Sequence, residues 1–530
     1  MCGILFVLNY GESIELNKYN EMLNTLTNRG PDMSKHIYQK TSSYEYFMGF
    51  TRLSIMDLSN TACQPFVKGS VVSVTNGEIY NYKKLIDGYN LKCKTNCDCE
   101  VVNLLYERYG LVNTIDELDA EFATILLDDD KLYACRDKYG VRPLFYGWND
   151  ELKIIGIASE AKTLHSLFKV IKPLNPQTLL SYNISQGYKK PEPTSFIVEK
   201  VYNNMYYGES EKIKELLINA VEKRMDSDRP LGFLLSGGLD SSLILAIASK
   251  IMNVDDIYCF TIGLPNSSDV LAAKKVVEYL NIKNHIIVDF NVEDGIKTIK
   301  EVIKTIETYD ITTIRASTPQ YLLAKEINKM NHIKVLLSGE GSDELHGSYR
   351  YFKNAPSEKE FDDERKRLLD DLYMYDNLRT DRTMAGNGLE VRVPFLDYEY
   401  TNYILKSEAK LFMSGDCIEK KILRDSFKGY LPDEILYRSK EAFSDAVSSN
   451  EVNWYKSIEK YANEIISDEE MSKASEKYKH NPPECKEALL YRNIFNEIYP
   501  ERDELIQYYW LPKFQNKKIT DPSATVLDCY

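Results

Sequence analysis

The heptapeptide Ser236-Gly237-Gly238-Leu239-Asp240-Ser241-Ser242 lies between an apolar run, Leu231 to Leu235, and the helix-patterned stretch Leu243 to Ile251. That order predicts a strand, a tight loop and a helix. A loop so placed gathers backbone N–H groups at the positive end of a helix, where a phosphate or pyrophosphate is held. Gly237 and Gly238 let the backbone approach an anion without a Cβ in the way, and Ser236, Ser241 and Ser242 add hydroxyl donors. Asp240 beside such a cradle makes sense if a magnesium ion bridges its carboxylate and the phosphates. No G-x-x-x-x-G-K-[ST] occurs, so this is not the P-loop of ATPases. Seven residues of this kind are also what a serine-rich helix cap looks like, so the rest of the chain has to decide.

A chain of 530 residues predicts two or more domains with substantial cores. A formal charge of −14 speaks against a nucleic-acid binder, since no basic surplus exists to neutralise phosphates. The apolar opening Met1 to Leu8 lacks a basic flank and is soon interrupted by Asn9, Glu12 and Glu15, unlike a signal peptide, and no apolar run approaches membrane-spanning length. Ten cysteines without an export signal imply reduced thiols and a cytoplasmic location. Cys93, Cys97 and Cys99 invite a metal reading, but no C-x-x-C pair is present and His36 is the sole histidine of the first hundred residues, which argues against zinc.

If Met1 is removed, the Cys2 thiol stands beside a free α-amino group of pKa near ~8, so one residue supplies nucleophile and base. The competing reading is a small apolar residue that starts a strand. Further segments bear on the choice: Asn28-Arg29-Gly30-Pro31-Asp32, Thr51-Arg52-Leu53-Ser54-Ile55, Asn76-Gly77-Glu78-Ile79-Tyr80-Asn81, and Asp98 within Asn96-Cys97-Asp98-Cys99-Glu100. In this order they resemble the class II glutamine amidotransferase domain, an N-terminal-nucleophile fold. The resemblance implies that Cys2 attacks the side-chain amide of glutamine to give a thioester and ammonia. It gives the oxyanion hole to the Asn76 side chain and the Gly77 N–H, the substrate α-carboxylate to Arg52, and the α-ammonium to Glu78 and Asp98. The segments Arg136 to Leu144 and Ala158 to Lys162 continue the family pattern and read as structural. Strands such as Ala123 to Leu127, Lys153 to Ile157 and Leu179 to Tyr182 fit two antiparallel sheets between helices, an αββα sandwich. Pro173-Leu174-Asn175-Pro176-Gln177 stands where the family has a Pro-Gly turn and predicts a local loop change.

A polar, proline-containing stretch then suggests domains at 1–190 and 210–530 with a linker at 191–209. From Ser210 the pattern becomes helices alternating with apolar strands, which predicts an α/β domain on a doubly wound parallel sheet with extra helices. The strand Ile333 to Leu337 ends in Ser338-Gly339-Glu340-Gly341-Ser342-Asp343-Glu344, a second glycine-rich acidic loop. Asp240 and Asp343 are then the expected magnesium ligands and Glu340 the group at the reacting centre, because like charges beside a phosphate loop are costly without a cation. Thr318 and Pro319 predict the N-cap and first turn of a helix running to Met330, with the polar residues before it lining the cleft.

The first loop resembles that of the ATP pyrophosphatase superfamily. The chain as a whole is similar to glutamine-hydrolysing asparagine synthetases, through Gly388 to Asp397, Glu419 to Arg424, Lys440 to Asp445, Tyr509 to Pro512 and Asp521 to Ala524. The resemblance implies a ligase of asparagine biosynthesis, in which ATP and aspartate form β-aspartyl-AMP and ammonia from glutamine is channelled to it. It assigns Leu235, Ile262, Ser338 and Gly339 to the adenosine, Lys440 to phosphate charge during adenylation, and Glu340 to the β-aspartyl intermediate. The implied partners are glutamine, aspartate and ATP with Mg²⁺, without nucleic acid or membrane, and with a homodimer as the expected assembly. A β-lactam-synthetase-like cyclase lacks the N-terminal cysteine, and a non-catalytic binding protein has no use for Asp240, Glu340 and Lys440 together. His346-Gly347-Ser348-Tyr349, where Gly-Gly-Tyr is usual, and Ala446 to Ser449 are departures that bear on rate more than on reaction type.

Overall fold

The computed structural model describes residues 1–196, 208–415, 417–439, 453–515 and 519–522. The chain forms two compact units. The first gathers Met1–Tyr202 with two short later segments, Asp226–Arg229 and Ala385–Glu390; the second holds Asn203–Met225, Pro230–Met384 and Val391–Tyr530.

In the first unit, strand Gly3–Asn9 is buried along its whole length because it lies inside a sheet, antiparallel to Glu45–Arg52 on one side and Ile154–Ala158 on the other. Met33–Lys40 flanks it beyond Glu45–Arg52, and Phe145–Asn149 and Val170–Pro173 lie beyond Ile154–Ala158. A second antiparallel sheet runs in the order Thr194–Ser195, Thr178–Asn183, Lys131–Arg136, Ala120–Asp128, Val71–Ile79, Phe66–Lys68. Alternate residues of the two sheets meet: Ile4, Phe6, Leu8, Met48 and Phe50 pack with Val72, Val74, Ile125, Leu127 and Leu180 in one core. Helix Leu16–Asn24 covers the first sheet and Glu100–Glu117 the second, which completes the αββα layering. At the predicted loop change, Gln177 adopts a left-handed φ of 58°, the conformation for which a glycine is the usual choice.

The second unit is built on a sheet ordered Asn284–Asp289, Tyr258–Gly263, Leu231–Leu234, Val335–Leu337, Glu390–Arg392, whose first four strands pair in parallel. The chain leaves the central strand Leu231–Leu234 toward one edge and returns on its other side at Val335–Leu337. The carboxyl ends of these two strands therefore form a topological switch point, where open α/β sheets bind ligands.

Two local expectations are corrected. The helix placed after Thr318 spans Ile311–Lys329, with Asp310 as its N-cap accepting from the Thr313 N–H at 2.9 Å, so Pro319 is interior. A proline there withholds the N–H that the Arg315 carbonyl would take. The Trp454 indole N–H fills the vacancy at 3.0 Å, from the helix Trp454–Ile465. Ile311 to Ser317, expected to precede the helix, are therefore its first two turns. The charged stretch Asp362 to Asp371, whose composition by itself predicts a solvated helix face, belongs to the helix Glu358–Asp371, whose Glu364 and Arg365 are fully buried. Glu364 takes the Tyr351 hydroxyl at 2.8 Å and the Arg367 guanidinium at 2.7 Å.

His346 ends the short helix Ser342–His346, wholly buried, with Nδ1 2.8 Å from the Ser342 carbonyl and Nε2 3.0 Å from the Tyr400 hydroxyl. Burial, with the Lys420 charge nearby, pushes its pKa down to about 3. A depressed histidine contributes stability that is complete above the unfolded value of about 6.5 and is lost as pH falls toward 3, by up to about 1.4 kcal/mol per pH unit. Thermal melts between pH 7 and pH 4 should show this acid sensitivity, and it should be smaller in His346→Gln. No helix among the described residues is long and apolar enough to cross a membrane.

Candidate active sites

Cys2 immediately precedes the buried strand Gly3–Asn9, so the sheet fixes where its side chain can be. Its backbone N–H donates to Asn76 Oδ1 at 3.0 Å, its carbonyl accepts from Arg29 Nε at 2.9 Å, and its Sγ lies 3.8 Å from the Leu53 carbonyl. Asn76 and Gly77 are in the strand Val71–Ile79. With Asn76 Oδ1 engaged by Cys2, Asn76 Nδ2 is a buried donor with no partner among the described residues. Gly77 is needed where it stands, since a Cβ there would lie 2.2 Å from the Glu121 carbonyl oxygen of the paired strand. Burial pushes the Cys2 thiol up to about 12 against the pull of the terminal ammonium, and burial lowers that amine to about 6.

Arg52 ends the strand Glu45–Arg52, and its guanidinium holds the following turn through the carbonyls of Ser59 at 2.5 Å, Met56 at 3.3 Å and Asp57. Asp98 Oδ2 accepts from the Ile79 N–H at 2.8 Å, which ties the Asp98 loop to the Asn76 strand. Arg52, Glu78 and Asp98 are all buried. Two carboxylates and one guanidinium withdrawn from water are costly unless partnered. That charge set complements a zwitterionic amino acid.

Arg29 and Glu160 were not singled out from the sequence, where they read as turn residues. Fully buried, Arg29 spans the Cys2 carbonyl and Glu160 Oε1, the latter at 2.9 Å, and Lys162 closes on Glu160 at 2.5 Å. Arg29→Met should lower the unfolding free energy by about 3 kcal/mol, the cost of leaving a buried carboxylate short of its partner. Because Cys2 loses its carbonyl anchor, glutamine-dependent turnover should fall about tenfold while ammonium-dependent turnover holds; denaturant melts and paired assays check both.

In the second unit a cavity of about 260 Å³ opens at the switch point. Leu235, Ser236, Gly238, Asp240, Ser241, Ile262, Ser338, Gly339, Glu340 and Asp343 all line it. Gly237 and Ser242 stand behind its wall. Gly237 is at φ 74° with its backbone pressed on the helix Ser268–Leu280, where a Cβ would meet the Ala273 nitrogen at 2.5 Å. Ser242 is fully buried with no partner for its hydroxyl among the described residues. The loop is braced by its serines, with the Ser236 N–H 3.2 Å from Ser241 Oγ and the Gly238 N–H 3.3 Å from Ser236 Oγ.

Asp240 and Asp343 converge on one ammonium. Lys420 Nζ donates to both Asp240 oxygens at 2.7 Å and to Asp343 Oδ1 at 2.6 Å. Ser342 Oγ donates to Asp240 at 2.7 Å and Ser348 Oγ to Asp343 at 2.5 Å, so Ser348, one of the departures from the family pattern, orients this carboxylate. Two hard oxygen donors already gathered around one positive charge, on the cavity wall, fit Mg²⁺. Glu340 accepts from Arg379 Nη2 at 2.7 Å, and Asp376 shares that guanidinium at 3.0 Å. Arg438 supports the first loop through the Gly237 carbonyl at 3.1 Å and Asp269 at 3.0 Å. Lys440, with Glu441 to Asp445, Ser523 and Ala524, lies outside the described residues. Lys420, Arg379 and Arg438 were not singled out, because a charged side chain in a polar stretch reads as solvated; the one signal for Lys420 was its place in Glu419 to Arg424.

Known families match the two halves of the chain in order. The glutamine amidotransferase domain model matches residues 1–215, and the asparagine synthase model matches 212–369 and 353–520. A probable glutamine-hydrolysing asparagine synthetase of Acanthamoeba polyphaga mimivirus is 50% identical over 99% of this chain and 100% of its own length. The asparagine synthetases of Gallus gallus and Homo sapiens are 39% and 38% identical over 100% of this chain and 99% of theirs. Among solved structures, a glutamine phosphoribosylpyrophosphate amidotransferase from B. subtilis aligns at 15% identity and a TM-score of 0.31, over 54% of this chain and 65% of that one, too loosely to add to the argument. With family matches in both halves and relatives aligned end to end, the chain belongs to the family of glutamine-hydrolysing asparagine synthetases.

Proposed function

We propose that the two sites divide the family's reaction, ATP-dependent synthesis of asparagine from aspartate with glutamine as nitrogen donor, between them. The observation that carries the reading is the unengaged Asn76 Nδ2 beside a Cys2 whose own backbone N–H is already spent on Asn76 Oδ1. A buried donor without a partner is expensive unless a ligand oxygen completes it.

In the first unit, Arg52 takes the glutamine α-carboxylate, and Glu78 and Asp98 take its ammonium. Removal of Met1 gives Cys2 the terminal amine, which accepts the thiol proton as Sγ adds to the amide carbon. Asn76 Nδ2 and the Gly77 N–H stabilise the oxyanion. Collapse, with that proton passed from the amine to the leaving nitrogen, expels ammonia, and water then releases glutamate from the thioester and restores the thiol.

In the second unit, the loop from Ser236 to Ser242 holds the β- and γ-phosphates, and Leu235, Ile262, Ser338 and Gly339 surround the adenosine. Asp240 and Asp343 would hold Mg²⁺, which would supply positive charge to the pyrophosphate. Lys420 and Lys440 supply further positive charge as the aspartate β-carboxylate attacks the α-phosphorus and pyrophosphate leaves. Glu340, oriented by Arg379, acts where channelled ammonia attacks β-aspartyl-AMP and AMP departs. Domains at 1–190 and 210–530 joined by 191–209, a homodimer and a cytoplasmic location belong to the same reading. Its test is the product ratio: pyrophosphate and AMP should form one-to-one with asparagine and only with aspartate present, whereas ADP and phosphate would overturn it.

A further inference from the structure

We propose that Cys97, Asp98 and Cys99 form an inhibitory site for a thiophilic divalent ion of the zinc class, whose occupation removes Asp98 from glutamine binding. The inference rests on the proposed role of Asp98 in holding the substrate ammonium.

The sequence counts against zinc only because it offers neither C-x-x-C nor nearby histidines. The folded chain supplies a carboxylate instead. One atom each from Cys97, Asp98 and Cys99 lies within 4.8 Å of the others, and all three residues are buried. Cys97 Sγ is 3.7 Å from Asp98 Oδ1 and Cys99 Sγ is 3.4 Å from Asp98 Oδ2. Tetrahedral zinc with bonds of about 2.3 Å to sulfur and about 2.0 Å to oxygen has sulfur–oxygen edges of about 3.5 Å, between these two values. The three ligand atoms are thus gathered closely enough to share one ion, and they belong to one short loop.

That loop is anchored, which makes the site selective in its effect. Asp98 Oδ2 takes the Ile79 N–H at 2.8 Å, and Cys99 Sγ lies 3.6 Å from the Gly77 carbonyl. A metal drawing Asp98 toward the thiols would pull on the strand that carries Asn76 and Gly77 while neutralising the carboxylate. Binding breaks two S–H bonds, whose protons pass to solvent, and changes no oxidation state. Magnesium, which prefers oxygen donors and octahedral geometry, would not compete for two sulfurs.

The test titrates full-length protein with Zn²⁺ and, separately, Cd²⁺, in magnesium-containing buffer with a non-chelating phosphine reductant. Metal binding is read by equilibrium dialysis, and glutamine- and ammonium-dependent synthesis are read in parallel. We expect one ion per chain, at least a tenfold loss of the glutamine-dependent rate at saturation, and less than a twofold change with ammonium. Cys97→Ser and Cys99→Ser, each compared with its own metal-free rate, should weaken binding at least tenfold and relieve the inhibition; Cys2→Ala should still bind one ion. Absence of stoichiometric binding, binding untouched by either serine variant, loss of binding in Cys2→Ala, or equal inhibition from both nitrogen sources would overturn the proposal. The role of Asp98 is read separately, from the glutamine KM of metal-free Asp98→Asn: a raised KM without metal binding overturns the metal site alone, and an unchanged KM overturns the substrate role.

Discussion

Lys420→Ala is expected to reduce asparagine synthesis by at least about 10² with glutamine and with ammonium alike, a size typical of removing a charge that stabilises a phosphoryl transition state. The geometry sets this expectation. One ammonium, 2% exposed, is the shared partner of three carboxylate oxygens at 2.6 to 2.7 Å. Its removal leaves Asp240 and Asp343 facing each other across the cavity wall, and like charges so placed resist joint ionisation. Without magnesium the variant should lose about 3 kcal/mol of stability, and added Mg²⁺ should restore part of it by supplying the missing cation. Lys420→Arg should fail too, because a planar guanidinium cannot take three converging oxygens as a compact ammonium does. Melting curves with and without Mg²⁺, beside both synthesis assays, check the set. Equal activity of wild type and Lys420→Ala would remove Lys420 from the reaction.

Asn76→Ala should lower glutamine-dependent synthesis by about 10² to 10³, the range for losing one oxyanion donor, with ammonium-dependent synthesis unchanged. The loss should fall on kcat more than on KM, because Asn76 Nδ2 is aimed at charge that develops only during attack. Asn76→Asp is the sharper variant. It keeps the acceptor for the Cys2 N–H, now 3.0 Å away, and replaces the open donor with an acceptor. If Asn76 merely holds Cys2 in place, Asn76→Asp should retain most activity; if it stabilises the oxyanion, Asn76→Asp should be as poor as Asn76→Ala.

The parts of the sites legible in the sequence are those whose local pattern departs from what a bland loop requires. Glycines and serines between an apolar strand and a helix pointed to the loop from Ser236 to Ser242, and the acidic cluster Glu340 to Glu344 pointed to the loop facing it. Both line one cavity. Cys2, Asn76 and Asp98 were reached through resemblance, and the fold brings Cys2 and Asn76 into direct contact. What stayed hidden depends on contacts far apart in the chain. Arg29, Lys420 and Arg379 look solvated until the fold places Glu160, Asp240 and Glu340 against them. The misplaced helix start has the same cause: Thr318-Pro319 is a sound helix-start signal, and only the Trp454 indole, by satisfying the Arg315 carbonyl, lets Pro319 sit inside a helix. Likewise, Glu364 and Arg365 in a highly charged helix are buried because Tyr351, Arg367 and the Leu345 carbonyl meet them.

The central claim is that one chain carries two separate chemistries, glutamine hydrolysis at Cys2 and aspartate activation at the cavity lined by Asp240 and Asp343. Its most direct measurement is asparagine formation by wild type and Cys2→Ala with aspartate, ATP and Mg²⁺, using either glutamine or ammonium. Wild type should use both nitrogen sources, and Cys2→Ala should use ammonium at the wild-type rate and glutamine not at all. Glutamine-dependent asparagine from Cys2→Ala, or no asparagine from either source in the wild type, would contradict the account.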